Sequence, residues 1–367
     1  MFDIFDALAL IGGLCLFLFG MNVMGDGLER RAGNSLKALL GKLTDNKLKG
    51  FLTGMGVTAV IQSSSATTVM VVGFVNSKVM TLKQSIGVIM GANIGTTVTS
   101  WLLSLGGISS DNIVMKLLKP MSFTPILALI GIAFTMFSKS SKKKDVGTIL
   151  LGFATLMFGM DAMSGAVKGL AEVPEFQNLF LAFTNPILGV LVGALVTAII
   201  QSSSASVGIL QALSVTGAVS YSAAIPIIMG QNIGTCVTAI LSSVGASKNA
   251  KCVGTMHLLF NITGTILFTI IALIVFAKAD PSLGEGIITM TQISAIHTAF
   301  NIGTTIVMIP LSGLIIKVAM KVNGISEVVA EDETKLVHLD KRMMSTPAVA
   351  VAGAKLETIR LSRIARE

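Results

Sequence analysis

Two short clusters of hydroxyl and amide side chains lie inside long apolar stretches of this chain. Gln62-Ser63-Ser64-Ser65 occurs in the first half, and Gln201-Ser202-Ser203-Ser204 begins 139 residues later (201 − 62). Consecutive serines disfavour a continuous helix, because their hydroxyls compete for backbone hydrogen-bonding groups. A helix that restarts after such a break offers free N–H groups and the positive end of its dipole, which attract an anion. The hydroxyls and the carbonyls of the preceding helix end can also bind a hard cation such as Na⁺.

Further hydroxyl groups follow each cluster within one helical turn, at Thr67, Thr68 and Ser206. They are candidate oxygen ligands for the cation. The alternative interpretation is that the serines permit close helix packing and hydrogen-bond across helix interfaces. Polar clusters at membrane depth are costly unless they bind something, so two matching copies favour a site built from both.

A second repeated element consists of Asn93-Ile94-Gly95-Thr96-Thr97 and Asn232-Ile233-Gly234-Thr235. Each begins 31 residues after the glutamine of its cluster (93 − 62; 232 − 201), which leaves room for a hairpin and a returning helix. Asparagine is a candidate N-cap, glycine permits close backbone approach, and threonine supplies a hydroxyl. Helix packing through small residues is the alternative.

A His-x-x-Phe-Asn pattern occurs at His257–Asn261 and again at His297–Asn301. In both copies the histidine and asparagine are four residues apart and share one helical face. We interpret them as hydrogen-bonding pairs between helices; a contribution to the binding site is the alternative.

The composition indicates what kind of structure holds these groups. Of 367 residues, 52% are hydrophobic and 13% are charged, about half the charged fraction of a soluble domain. This predicts an all-α polytopic membrane protein, in which a span needs roughly 20 apolar residues. Uninterrupted spans are predicted at 7–28, 112–137, 146–168, 252–277 and 287–318. Re-entrant hairpins or discontinuous helices are predicted at 50–77, 80–105, 187–219 and 222–245. The net charge of +8 lies in loops and the tail, as the positive-inside rule expects, and does not indicate nucleic-acid binding.

The offset of 139 residues also aligns Phe19-Gly20-Met21 with Phe158-Gly159-Met160, so internal duplication is predicted. Corresponding loops differ in charge bias: 139–144 is rich in lysine, whereas 278–285 is not. The positive-inside rule therefore predicts two inverted-topology repeats, with the N-terminus outside and the C-terminus inside. The predicted divisions are repeat 1 at 1–138, a cytoplasmic linker at 139–145, repeat 2 with a final span at 146–322, and a cytoplasmic tail at 323–367.

Enzymatic catalysis is not indicated. Neither serine cluster forms the Gly-x-Ser-x-Gly turn of a hydrolase, and the sequence has no Gly-x-x-x-x-Gly-Lys phosphate loop. The three histidines show no metal-ligand spacing.

The paired Gln-Ser-Ser-Ser and Asn-Ile-Gly-Thr segments and the His-x-x-Phe-Asn pattern resemble the type II sodium/phosphate cotransporter family over about residues 5–320. The resemblance implies import of inorganic phosphate coupled to Na⁺ by alternating access, with the two hairpins facing the substrate and no organic cofactor. The phosphate ligands it implies are Gln62, Ser63, Ser64, Ser65, Gln201, Ser202, Ser203, Ser204, Asn93 and Asn232. The Na⁺ ligands are expected among Ser65, Thr67, Thr68, Thr96, Thr97, Ser204, Ser206 and Thr235. Cys236 stands where repeat 1 has Thr97, so the two copies need not be symmetric.

The tail from about Asn323 is polar, and 355–367 has apolar residues at helical spacing. This part is similar to the junction that leads into the PhoU-like cytoplasmic domain of bacterial relatives, so we expect the chain to stop before such a domain. The expected location is the bacterial inner membrane, with the lipid bilayer, phosphate, Na⁺ and a second copy in a homodimer as candidate partners. Two alternatives stay open: a transporter of another oxyanion, and a membrane phosphate sensor or anchor for a regulatory domain.

Overall fold

The computed structural model describes residues 3–42, 47–107, 119–276, 281–325, 338–339 and 347–364. Within these ranges seven helices are long and apolar enough to cross a membrane, or eight if the bent pair Pro174–Ala182 and Pro186–Ile200 is one span. Large apolar side chains such as Leu8, Ile11 and Phe19 are exposed, as expected where a surface contacts lipid rather than water. The prediction of an all-α polytopic membrane protein is confirmed.

The first half contains helices α1 (Ile4–Lys42), α2 (Lys47–Ile61), α3 (Ser64–Asn76), α4 (Leu82–Ser104) and α5 (Pro120–Phe137). It is followed by α6 (Ser141–Ala166), α7 (Pro174–Ala182), α8 (Pro186–Ile200), α9 (Ser203–Ser214), α10 (Tyr221–Gly234) and α11 (Cys236–Ser242). The last described helices are α12 (Lys248–Ile274), α13 (Pro281–Glu285), α14 (Met290–Val322) and α15 (Pro347–Ile364).

The chain forms two compact units. Unit 1 comprises Met1–Arg31, Thr97–Gly234 and Gly264–Asn301, and unit 2 comprises Ala32–Thr96, Thr235–Thr263 and Ile302–Glu367. Both units contain apolar core residues. A core in unit 1 surrounds Phe17 and Leu156, and a core in unit 2 surrounds Val71, Val88 and Phe260. The second Gln-Ser-Ser-Ser segment belongs to unit 1 and the first to unit 2.

In unit 2 the backbones of α2 and α4 are in direct contact. A Cβ atom added at Gly91 would overlap the carbonyl oxygen of Phe51. Gly87, Gly91 and Gly95 recur every four residues and form one small-residue face of α4. The prediction that 80–105 is interrupted is wrong, because these glycines serve close packing and α4 runs through them unbroken.

In unit 1 the same packing joins α8 and α10. Cβ atoms added at Gly193 and Gly230 would overlap the carbonyl oxygens of Ile227 and Val190. The interruption predicted within 187–219 is present between α8 and α9.

The interruption predicted within 222–245 is slight. Only Thr235 separates α10 from α11, and its backbone stays helical with φ −64° and ψ −21°. The predicted uninterrupted spans at 7–28, 146–168, 252–277 and 287–318 overlap α1, α6, α12 and α14. For the span at 112–137, residues 120–137 form α5, and 112–118 lie outside the described residues.

The predicted tail helix is confirmed, although α15 begins before residue 355. Glu357 is nearly buried, accepts a hydrogen bond from the His338 backbone N–H at 2.7 Å and pairs with Arg360 at 2.7 Å. The remaining tail residues 326–337, 340–346 and 365–367 lie outside the described part of the chain.

Candidate functional site: two capped helix breaks and their buried asparagines

The helix break in unit 2 is built by Gln62 and Ser63. Gln62 has a left-handed backbone with φ 62°, and its N–H donates to the Thr58 carbonyl at 2.7 Å, which ends α2. Ser63 is extended, with φ −141° and ψ 103°, and its Oγ accepts a hydrogen bond from the Ala66 N–H at 3.1 Å. Ser63 is therefore the N-cap of α3, and the predicted break is confirmed at the junction between glutamine and serine.

The second and third serines lie in the first turn of α3 rather than in the break. Ser64 is 6% exposed, and Ser65 is half-buried. The first N–H groups of α3 and the positive end of its dipole therefore lie beside these hydroxyls. This part of unit 2 combines neutral donors with a favourable potential for an anion.

Hydroxyl groups one turn later join the two arms of the hairpin. Thr58 Oγ1 donates to Thr67 Oγ1 at 2.9 Å, which links α2 to α3. Thr67 Oγ1 in turn donates to the Ser63 carbonyl at 3.1 Å, and Thr68 Oγ1 donates to the Ser64 carbonyl at 2.9 Å. A hydroxyl that donates keeps acceptor capacity, so both threonines retain lone pairs for a cation.

The break in unit 1 has the same local geometry. Gln201 has φ 58° and donates its N–H to the Thr197 carbonyl at 2.7 Å. Ser202 is extended, and its Oγ accepts a hydrogen bond from the Ala205 N–H at 3.2 Å. Ser203 and Ser204 are 4% and 6% exposed. The duplicated sequence therefore folds into duplicated capped breaks.

Unit 1 differs one turn beyond the break. Thr197 and Ser206 align with Thr58 and Thr67, yet within the described ranges neither Thr197 Oγ1 nor Ser206 Oγ has a hydrogen-bond partner. Gln231 Nε2 donates instead to the Ser206 carbonyl at 3.0 Å. Buried unpaired oxygens call for a ligand or water, so this corner of unit 1 is a candidate cation site.

Sequence reasoning missed Gln231 and Thr197 as candidate ligands. Gln231 Oε1 has no hydrogen-bond partner in the described part of the chain. The signal was available, because Gln231 is an amide within an apolar span and aligns with Ala92 in the other repeat.

Asn93 and Asn232 lie in helix interiors, so their interpretation as N-caps is wrong. They are located within α4 and α10, each 3% exposed. The physical reason is the close helix packing described above, which keeps both helices continuous through the Asn-Ile-Gly segment. Thr96 Oγ1 donates to the Ala92 carbonyl at 3.1 Å, one turn back in the same helix.

The candidate Na⁺ ligands are divided between the units. Unit 2 contains Ser65, Thr67, Thr68, Thr96 and Thr235. Unit 1 contains Thr97, Ser204 and Ser206. Thr97 therefore lies in unit 1 and Thr235 in unit 2, so each belongs to the unit that does not contain the serine cluster of its own repeat. The spacing of the motifs in the sequence did not predict this division.

Each buried asparagine is held by one of the two histidine helices. His257 Nε2 lies 3.0 Å from Asn93 Oδ1 in unit 2. His297 Nε2 lies 3.3 Å from Asn232 Oδ1 in unit 1. The interpretation of the His-x-x-Phe-Asn segments as interhelical hydrogen-bonding elements is confirmed, and their partners are the asparagines of the second motif.

The left-handed backbone of Gln62 allows its structural and binding roles to be separated. We expect Gln62→Gly to melt within a few degrees of the wild type, because glycine adopts positive φ without strain. Gln62→Val is expected to lose about 1–2 kcal/mol of unfolding free energy, because a β-branched residue is strained there. Thermal melts of both purified variants check this, and a stable valine variant would contradict it. Loss of phosphate binding in the stable glycine variant would then report the side chain itself.

The chain is similar in sequence to a known family and to several known proteins. The sequence profile of the Na⁺/Pi-cotransporter family matches residues 16–165 and 156–283. "Putative inorganic phosphate export protein YjbB" of Escherichia coli is 26% identical over 357 residues, 96% of this chain and 62% of YjbB. "Uncharacterized protein YqeW" of Bacillus subtilis is 30% identical over 305 residues, 82% of this chain and 93% of YqeW.

A shorter match links the chain to animal proteins. "Sodium-dependent phosphate transport protein 2A" of Rattus norvegicus is 40% identical over 109 residues, 27% of this chain and 17% of the rat protein. This chain spans less than two thirds of the length of YjbB. No solved structure matches it. The matched family is one of transporters rather than enzymes, and this chain belongs to the Na⁺/Pi-cotransporter family.

Proposed function

We propose that this chain transports inorganic phosphate together with Na⁺, importing phosphate when the Na⁺ gradient points inward. The observation that carries the proposal is the pair of capped helix breaks at Gln62-Ser63 and Gln201-Ser202. Family membership and the names of the relatives support phosphate as the substrate. YjbB is named as an export protein, so the direction of transport is part of the test.

The chemistry of the breaks explains why Na⁺ and phosphate would be coupled. The motif cores contain neither lysine nor arginine, so phosphate is held by hydroxyls, amides and helix ends. Bound Na⁺ supplies the charge that compensates the anion, because charges at membrane depth are costly when unpaired. The anion site therefore becomes attractive once Na⁺ is bound, and the two bind in sequence before the protein changes access.

The proposal assigns a role to each group, unit by unit, and the family resemblance and the hydroxyl and amide chemistry of the breaks support these assignments. Phosphate is assigned to Gln62, Ser63, Ser64, Ser65 and Asn93 in unit 2, and to Gln201, Ser202, Ser203 and Ser204 in unit 1. Asn232, which the family resemblance also implies, is not included, because both ends of its amide are already hydrogen-bonded within the protein. Na⁺ is assigned to the threonine and serine hydroxyls named above, with Thr197 and Gln231 added in unit 1. The protein works in a bacterial inner membrane with its C-terminal tail in the cytoplasm, and a homodimer is the assembly to test.

Transport by purified protein in sealed liposomes tests the proposal. We expect ³²P-phosphate to accumulate under an inward Na⁺ gradient, to stop when K⁺ replaces Na⁺, and to be competed by unlabelled phosphate. Vesicles loaded with phosphate and Na⁺ test the outward direction in the same preparation. Liposomes with a Ser64→Ala/Ser203→Ala double variant are the matched control.

The outcomes separate the alternatives. Competition by sulfate or arsenate stronger than by phosphate would identify another oxyanion as the substrate. Na⁺-dependent phosphate binding in detergent without movement across the vesicle membrane would identify a sensor or anchor. Transport that is equal in Na⁺ and K⁺ would overturn the proposed coupling.

A further inference from the structure

A histidine determines which way the side-chain amide of Asn93 faces in unit 2. His257 Nε2 lies 3.0 Å from Asn93 Oδ1, and the two residues are 1% and 3% exposed. An amide oxygen can only accept a hydrogen bond, so His257 Nε2 carries the proton and donates it. The Asn93 oxygen therefore faces the imidazole ring, and its nitrogen faces elsewhere.

The amide nitrogen of Asn93 is a buried donor without an acceptor. Among the described residues, Asn93 Nδ2 has no hydrogen-bond partner. A buried donor left unpaired lowers the stability of a fold. At membrane depth no lipid group compensates it. The position is explained if this nitrogen donates to a ligand when the protein works.

The matching asparagine in unit 1 is engaged on both sides. Asn232 Oδ1 is 3.3 Å from His297 Nε2 and accepts a second hydrogen bond from Asn301 Nδ2 at 3.2 Å. Asn232 Nδ2 donates to the Ile228 carbonyl at 2.8 Å, one turn back in α10. The Asn232 side chain therefore links α10 to α14.

The two units also differ in the partner of the asparagine that ends each His-x-x-Phe-Asn segment. Asn261 is the counterpart of Asn301, but its Nδ2 donates to Cys236 Sγ at 3.2 Å instead of supporting Asn93. Cys236 occupies the position that aligns with Thr97 of repeat 1. Asn261 thus makes no hydrogen bond to Asn93 like the one that Asn301 makes to Asn232, and His257 is the partner of Asn93 Oδ1 among the described contacts.

We infer that His257 is a positioning residue that orients the Asn93 amide nitrogen to donate to a phosphate oxygen. His297 and Asn301, in contrast, hold Asn232 in a purely structural role. This inference rests on the proposed function and deepens it, because it makes the two asparagine motifs unequal. An uncharged amide donor suits phosphate, since anions are bound well by N–H groups oriented in advance.

Paired substitutions at His257 test the inference. Glutamine retains an N–H donor that can reach Asn93 Oδ1, and methionine has nearly the shape of glutamine without any donor. We expect His257→Met to raise the phosphate concentration for half-maximal Na⁺-dependent binding about tenfold, the usual effect of losing one charge-assisted hydrogen bond. His257→Gln is expected to stay within about twofold of the wild type, since its donor is preserved. The Na⁺ concentration for half-saturation, measured at saturating phosphate, should be unchanged in both.

A coupling experiment separates orientation from packing. In an Asn93→Ala background, His257→Met should cause no further loss of phosphate affinity, because the group it orients is absent. His297→Met is expected to lower the melting temperature, because it removes a hydrogen bond to the structural residue Asn232. The phosphate concentration for half-maximal binding should stay within about twofold of the wild type. Binding of ³²P-phosphate to the purified full chain in detergent provides the readout.

The outcomes are distinguishable from failure of the proposed function. If the wild-type chain binds no phosphate in Na⁺, the proposed function is overturned and this inference with it. If the wild type binds phosphate but the methionine and glutamine variants behave alike, this inference alone is overturned. An additive loss in the Asn93→Ala background, or a phosphate defect in His297→Met equal to that of His257→Met, would also overturn it.

Discussion

Alanine at Ser64 is expected to lower Na⁺-dependent phosphate uptake at least about tenfold, because a hydrogen bond to a charged ligand contributes about 1.5–3 kcal/mol. The fold should survive, since the cap of α3 is made by Ser63 and not by Ser64. Uptake into liposomes and a thermal melt of the same preparation measure the two effects. Ser203→Ala in unit 1 should behave alike, because Ser202 caps α9.

Matched serine controls are available in each unit. Ser85 is fully buried, and its Oγ donates to the Leu82 carbonyl at 3.0 Å. Ser214 is 6% exposed, and its Oγ donates to the Gln211 carbonyl at 2.7 Å. Alanine at either position removes a similar hydroxyl outside the breaks and should leave uptake near the wild-type rate. Wild-type uptake by both Ser64→Ala and Ser203→Ala would contradict the assignment of the breaks to substrate.

The second large effect is expected at Gly91, where alanine should lower the stability of the fold without removing any group that binds substrate. The added methyl would overlap the Phe51 carbonyl oxygen, and both partners are helix backbone. Overpacking of this kind costs about 1–3 kcal/mol or more, because α2 and α4 have to separate. We expect a lower melting temperature and less monodisperse protein on size exclusion. Gly230→Ala should reproduce the effect in unit 1 through the Val190 carbonyl.

Gly56 supplies the control for this prediction. It lies in α2, and a Cβ added there meets no atom within 4 Å among the residues the structure describes. Gly56→Ala should therefore be neutral or stabilise by about 0.5–1 kcal/mol, because alanine is the better helix former. Equal melting temperatures for Gly91→Ala and Gly56→Ala would show that the helix contact tolerates a methyl group.

Several local features could be predicted from residues alone because their causes are local. A glutamine and three serines in an apolar run predict a helix break, since side-chain oxygens that cap a helix act over only three residues. Both breaks formed where the motif placed them, with Ser63 and Ser202 as caps. The predicted interruption within 80–105 is wrong, because the same glycines suit a break or a close helix contact. The choice depends on whether a second helix lies against them.

The sequence by itself determined the membrane class, the duplication and the two capped breaks, because composition, offset and cap chemistry act at short range. Only the tertiary structure decided which groups pair. It brings His257 to Asn93 and His297 to Asn232. It also places the Asn261 amide nitrogen against Cys236 Sγ, whereas the matching Asn301 donates to the Asn232 side chain. These partners are 25 or more residues apart, so no local pattern specifies them. The physical reason is that a buried amide has two distinct ends, and which end is satisfied depends on helices that meet only when the chain folds.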